Sequence, residues 1–321
     1  MRATTLLNRA LNFSGTSITK VEFDGPGPVI ATVKLTARKK LSCAHCPFTT
    51  KAAYDTRWAE STWRHLDLGG TPMVVKMLRR RLRCPEHGVV VQGVPFARTN
   101  ARNTGDFEDL VAWLVTRSDK TSVSDFTRIA WRTVGAICER VVEEQLDDSL
   151  FEDLVSLVVD EISWKKHHNY LTLISDHETS TILWGAAGKN AATLDKFFKE
   201  IGPENTGNIE AVSMDMGAAF IKSVKNNAPD AAICIDPFHV VQLATNSGMA
   251  AFMKAAATVR GHMEGIYQAV TRKISNGKQE GLNNKIRTMT RRSYGFHSPE
   301  AVLALIMLAC GPVTVRLPYQ K

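Results

Sequence analysis

Three regimes of hydrophobic patterning follow one another along the 321-residue chain. Up to about residue 100, apolar and polar positions alternate in short runs. "TKVEFDG" and "VIATVKLTAR" flank "GPGP", and "TWRHLDL" and "PMVVKMLRRRLRC" flank "GG". Period-two alternation bounded by Gly and Pro predicts β-hairpins. From Thr104 to about Gln145 the period lengthens in "FEDLVAWLVTR", "SVSDFTRIA" and "WRTVGAICERVVEEQL". Three helical pieces with short breaks predict a compact helical unit. Near Leu150 a third regime begins. "LVSLVVDEI", "NYLTLIS" and "STILWGAAG" read as strands, with "SDHETS" as the turn between the second and third. "NAATLDKFFKEIG" reads as a capped amphipathic helix closed by Gly202. "IEAVSMD" and "AAICID" read as two more strands around the helix "GAAFIKSVKNNAP", and helices follow to the end. Strands interleaved with helices in this order predict an α/β plan, a mixed sheet covered by helices.

Composition sets the class. Hydrophobic residues make up 44% and charged residues 22%, an ordinary globular balance. Forty Lys and Arg against thirty-two Asp and Glu give a net charge of +8, which favours a polyanionic partner. The opening "MRATTLLNRALNFSG" lacks the unbroken apolar stretch of a secretory signal. The longest apolar run, "AVLALIMLACGPV", is too short to span a bilayer and reads as a buried helix. The expectation is a cytoplasmic protein with no membrane partner.

In that compartment the six cysteines point to metal before disulfides. "CAHC" (Cys43, Cys46) and "CPEH" (Cys84, His87) are matched half-sites with two residues between ligands. Together they predict a tetrahedral three-sulfur, one-nitrogen zinc site. Four protein ligands leave no open position, so this zinc is structural. His45, inside the first half-site, is the alternative nitrogen ligand. Cys138, Cys234 and Cys310 stand alone among apolar residues and are expected in the core.

Two other constellations carry chemistry. "SVSDFTRIA" followed by "WRTVGAICERV" has the shape of a helix-turn-helix whose recognition helix starts near Trp131. Arg128, Arg132 and Arg140 would supply phosphate or base contacts; a plain three-helix linker is the alternative. The run "KMLRRRLRC" places Arg79, Arg80 and Arg81 beside the zinc half-site as phosphate-binding charge, with a solvated strand face as the alternative. In the α/β region, acids end apolar strands: Asp160 and Glu161, then Asp215, then Asp236 with His239. An acid there is costly unless paired or metal-bound. With Glu280 on a later helix, these acids could converge on one pocket. Grouped carboxylates hold hard divalent cations, chiefly Mg²⁺. Two such ions roughly 3.5–4 Å apart activate a water or hydroxyl and stabilise the leaving oxygen of a phosphodiester.

"VVDEISWKKHHNYLTLISD", "VSMDMGAAFIKSV", "DPFHVV" and "SNGKQEGLNNKIRTMTRRSYGF" together resemble the ISL3 family of bacterial insertion-sequence transposases. The zinc half-sites and the helix-turn-helix match that family's N-terminal plan, so the likeness covers nearly the whole chain. It implies a β-rich zinc-binding, DNA-binding domain over 1–100, a helix-turn-helix over 101–148 and a ribonuclease-H-like catalytic domain over 149–321. By motif position, Asp160, Asp215 and Glu280 are the Asp-Asp-Glu acids that hold Mg²⁺ or Mn²⁺. Asp236 and His239 would have a supporting role. Glu161 is expected to face away from the pocket, because neighbours on a strand point to opposite sides.

The implied reaction is hydrolysis of a DNA strand at the element's end, followed by attack of the freed 3′-hydroxyl on target DNA. Lys285, Arg287, Arg291 and Arg292 would hold the backbone of that double-stranded DNA. The implied assembly is a homo-oligomer on DNA at the bacterial nucleoid. One departure stands out. Members of the family usually carry a long helical insertion between the "DPFH" segment and the third acid, whereas here residues 240–279 alone separate them. The alternative function is therefore an internally deleted, non-catalytic DNA-binding relative that represses or inhibits transposition.

Overall fold

The computed structural model describes residues 2–23, 25–146, 148–165, 169–236, 256–274, 277–293 and 295–320. The chain divides into two compact units, Met1–Trp113 with Arg316–Lys321, and Leu114–Val315.

The first unit is built on the hairpins that the alternation predicts. β1 (Thr16–Phe23) pairs antiparallel with β2 (Val29–Leu35), and β5 (Trp58–Leu68) pairs antiparallel with β6 (Thr71–Cys84). Gly69 makes the second turn with a φ of 62°, a left-handed conformation that glycine adopts without strain. A parallel β2–β6 pair joins the hairpins into the order β1-β2-β6-β5, and β7 (Gly88–Val91) adds to the far end of β6. Alternate β6 residues Met73, Val75 and Met77 point into a core with Val29, Ala31, Val33 and Trp63. The short strands β3 (Leu41–Ser42) and β4 (Thr49–Thr50) form a separate two-stranded ribbon. Helix α1 (Ala3–Leu11), which the patterning did not announce, is anchored by Leu7 and by Asn8, whose Oδ1 accepts from the Ile18 N–H at 2.8 Å.

The unit boundary falls inside α2 (Gly105–Val115). The second unit then opens with α3 (Lys120–Thr127) and α4 (Trp131–Gln145). Asp119 caps α3 by accepting from the Ser122 N–H, and Arg128 closes it in a left-handed conformation. That tight turn starts α4 at Trp131, where the sequence places it.

Five strands make the second sheet: β8 (Ser156–Lys165), β9 (Asn169–Asp176), β10 (Ile182–Ala187), β11 (Ala211–Met214) and β12 (Ala232–Ile235). Their order is β10-β9-β8-β11-β12, with the first three antiparallel and β11 parallel to both β8 and β12. This mixed α/β sheet is the one the element order predicts. Leu157 and Val159 of β8, with Val212 and Met214 of β11, are buried with side chains of α5 (Ala191–Gly207) and α6 (Ala218–Asn227). Helix α5 does not end at Gly202. Gly202 breaks it with a φ of 76°, and Pro203, suited to a first helical turn, restarts it. Helix α7 (Met263–Thr271) packs on β12, and α8 (Gly277–Arg292) lies against β8. Helix α9 (Pro299–Cys310), the long apolar run, packs on α4 and β10.

Candidate metal centres and nucleic-acid interface

The zinc half-sites meet. Cys43 and Cys46 lie between β3 and β4, while Cys84 ends β6 and His87 precedes β7. All four ligand atoms lie within 4.8 Å of one another. Cys46 Sγ is 3.5 Å from Cys84 Sγ, and His87 Nδ1 is 3.6 Å from Cys84 Sγ and 3.9 Å from Cys43 Sγ. Such edges fit a tetrahedron around an ion with bonds of about 2.3 Å to sulfur and about 2.0 Å to nitrogen. Burial pushes the Cys84 thiol up, but N–H groups of His87 and Glu86 and the His87 ring outweigh it and hold the thiol at about 6. That favours the thiolate which zinc requires. His45 is exposed, and its ring stands outside the quartet, 5.2 Å from that of His87. The chemistry of this donor set fits structural zinc.

The acids are gathered differently. In the β8–β11 register Val212 faces Leu157 and Ser213 faces Val158. Two residues further on come the acids, Asp215 just beyond β11 and Asp160 on β8. Asp160 does not end its strand as the sequence suggests but sits midway, because pairing with β9 carries β8 on to Lys165. Asp160 lies under α8: Asn283 Nδ2 donates to its Oδ2 at 2.5 Å, and the Glu161 N–H donates to its Oδ1 at 2.6 Å. The Gly217 N–H donates to Asp215 Oδ1 at 2.8 Å. A Cβ at Gly217 would stand 2.7 Å from that same oxygen, so only glycine leaves the carboxylate its place. Asp236 follows β12 and is 4% exposed, with its N–H bonded to Met214 O at 3.1 Å. His239 lies outside the described residues.

Glu161, on the strand face opposite Asp160, sits 3.9 Å from Lys189. Burial raises its pKa, Lys189 opposes the rise, and the charges of Asp215 and Asp160 add to it. Glu280 is exposed on the first turn of α8, three residues before Asn283. Among the described residues, the zinc quartet is the one group of three or more His, Cys, Asp or Glu with all ligand atoms within 4.8 Å. The carboxylates of Asp160, Asp215 and Glu280 are therefore spread wider than that. Their donor set, carboxylate oxygens beside a buried amide, suits a hard divalent cation.

Two amides of α8 were not among the residues singled out in the sequence. Gln279 and Asn283 are buried and four residues apart, on one helix face. Gln279 Oε1 accepts from Ser175 Oγ at 2.7 Å, and Ser175 is the β9 partner of Val158. Their i, i+4 spacing in "QEGLNN" was the available signal, as was the Asp-x-Gly pattern for Gly217.

The basic residues differ in their contacts and in their exposure. Arg79 donates to Ser61 Oγ and Gln92 O and stacks over Trp63; Arg81 pairs with the Asp55 carboxylate. Arg80 lies 4.5 Å over the ring of Trp58, which is itself exposed. Arg83, at the end of the same strand, is exposed and stacks on Tyr54. Arg128 and Arg132 are exposed around the α3–α4 turn, whereas Arg140 is half-buried. On α8, Lys285 donates to Ala309 O and Arg292 donates to Arg117 O, while Arg287 and Arg291 are exposed.

Comparison with known proteins finds matches along three stretches of the chain. A family model described as a transposase matches residues 157–247 and 242–306. A helix-turn-helix domain of transposase family ISL3 matches 93–142. The zinc finger of the IS204/IS1001/IS1096/IS1165 transposases matches 39–87. The transposase for insertion sequence element IS1557 of Mycobacterium tuberculosis is 40% identical over 241 residues, covering 72% of this chain and 53% of that protein. The transposase for IS1001 of Bordetella parapertussis is 24% identical over 231 residues, covering 71% and 56%. The chain thus spans about half the length of these curated relatives. Among the described residues, no helix is long and apolar enough to cross a membrane.

Proposed function

This chain belongs to the ISL3 family of transposases, and on that premise we propose that it cleaves and transfers DNA strands at insertion-sequence ends in a cation-dependent reaction. The observation that supports this reading is the parallel β8–β11 register, which sets Asp160, midway along β8, beside the end of β11 that Asp215 follows, with Asp160 bonded to Asn283 of the helix that bears Glu280. Asp160, Asp215 and Glu280 would hold the divalent cations, Mg²⁺ or Mn²⁺. Bound there, such ions lower the pKa of a water or hydroxyl nucleophile and neutralise charge on the leaving oxygen.

The chain's own residues do the rest. The Gly217 N–H and the Asn283 amide fix the orientation of two carboxylates before substrate arrives. Asp236, buried beside them in the sheet order, supports the site from β12, with His239 in the same supporting role. Glu161, 3.9 Å from Lys189, would take no part in holding the cation. Arg287 and Arg291 would grip the DNA backbone near the acids, with Lys285 and Arg292 anchoring α8 behind them. Arg128 and Arg132 at the start of α4 would read the element ends together with Arg80 and Arg83 of the zinc unit. Double-stranded DNA at the nucleoid is the partner, and the acting form is a homo-oligomer.

The test is strand cleavage of duplexes carrying the element's ends, with Mg²⁺ or Mn²⁺. The 321-residue chain is expected to cut, and Asp160→Asn to leave the duplex intact. Equal cutting by both would overturn the assignment. Cutting that appears only after a helical insertion is restored behind Ala244 would identify the chain as an internally shortened, non-catalytic relative.

A further inference from the structure

Two buried amides face the sheet from α8, and only one of them touches an acid. Asn283 is 7% exposed and Gln279 is 3% exposed. Gln279 accepts from the Ser175 hydroxyl on β9, leaving its Nε2 donor without a partner among the described residues. Asn283 donates to the Asp160 carboxylate, leaving its Oδ1 acceptor buried and likewise unpartnered. An ionised carboxylate only accepts, so the NH₂ of Asn283 must face Asp160 and the carbonyl must be the orphan. That carbonyl shares a carbon with the nitrogen bonded to Asp160, so it sits at the acid's edge. A buried acceptor left unpaired is costly, and native proteins rarely tolerate one without a functional partner.

We propose that Asn283 is a positioning residue of the acid site, holding Asp160 through Nδ2 and offering Oδ1 to a water in the shell of a bound divalent cation. This rests on the cation-binding reading of Asp160 given above. The required partner must donate, and water polarised by a cation is a strong donor that fits beside a carboxylate. Outer-shell groups of this kind fix the rotamer of a metal-ligating carboxylate and raise its affinity for the ion.

Gln279 supplies the control, because it ties the same helix to the same sheet without touching an acid. With the zinc quartet loaded beforehand, Mn²⁺ binding by the 321-residue chain is read from the loss of the free-ion paramagnetic resonance signal. Asn283→Leu, similar in shape and able to keep α8 packed, is expected to weaken Mn²⁺ binding by roughly 10–100-fold. Asn283→Ala should do the same, and Gln279→Leu should stay within about 3-fold of wild type despite a similar change in melting temperature. Binding by Asn283→Leu equal to wild type, or an equal loss in Gln279→Leu, would overturn the proposal. If the wild type shows no Mn²⁺ binding that Asp160→Asn removes, the acid-site reading itself falls and takes this role with it.

Discussion

The zinc quartet and the acid site are both drawn from separated strands, yet the first has its ligand atoms within 4.8 Å and the second does not. The quartet is made of two local turns, each placing two ligands by short-range geometry, so one long-range meeting completes it. Thiols and imidazole can also approach closely while neutral. The acids come from β8, the end of β11 and α8, so every pair is long-range. Two carboxylates 4 Å apart repel by about 4 kcal/mol at an effective dielectric constant near 20. What the chain can preorganise is direction rather than contact, and it does so with strand register, a glycine N–H and a helix amide. The lesson is that a metal site built from local turns is written in sequence spacing, while acids gathered from distant elements depend on the scaffold that aims them.

Breaking the quartet should give the largest effect. Structural zinc contributes on the order of 10 kcal/mol to the folding of small zinc modules. Chelation, or Cys84→Ser, is expected to release the β3–β4 ribbon and β7, with new protease cuts within 41–50 and 84–91. The sheet core around Val29, Met73 and Val75 packs separately and should keep its amide protection. Unchanged proteolysis would remove the zinc assignment.

On the acid side, Asp160→Asn should lower strand cleavage on the order of 10³-fold while the circular dichroism spectrum stays the same. Gly217→Ala isolates the aiming device. Its Cβ must displace the Asp215 oxygen now 2.7 Å away, and a misplaced catalytic group of this kind reduces rate by about 10²-fold. Single-turnover cleavage rates measure this, and a rate equal to wild type would mean that Gly217 has no role in placing Asp215.

The last effect concerns proton uptake by a buried histidine in the zinc unit's core. Burial, chiefly, lowers His65 from 6.5 to about 4; Asp106 opposes the shift and Arg64 adds to it. The unfolded chain takes up this proton below about pH 6.5, while the folded unit resists until about pH 4. The stabilisation is therefore present above 6.5 and is lost as pH falls from there through 4, at most about 3 kcal/mol in all. His65→Gln should flatten the denaturation slope across that window. An unchanged slope would show that His65 does not titrate with folding.

Much of this was legible in sequence because it is local. Period-two runs gave both hairpins of the first sheet, and the change to a helical period gave α3 and α4 with the start at Trp131. Cys-x₂-Cys and Cys-x₂-His spacing gave the quartet. The parallel β2–β6 pair was not legible, since it is a tertiary meeting with no turn between its strands. The continuation of α5 past Gly202 was missed because Gly signals an end and Pro203 a start, and the pair together read as a stop. Arginines 79 and 81 show the limit of charge counting. The run announces a phosphate surface, but Ser61, Gln92 and Asp55 already engage these two side chains. Asn283 was hidden for the same reason: what an amide can do depends on what it faces, and that is decided 123 residues away at Asp160.

The central claim is that Asp160, Asp215 and Glu280 form one cation site. Anomalous diffraction from crystals of the chain grown with Mn²⁺ tests it directly. The account predicts a peak about 2.2 Å from oxygens of both Asp160 and Asp215, with Glu280 turned toward it. No peak at these acids, or one held by Glu161 in their place, would contradict it.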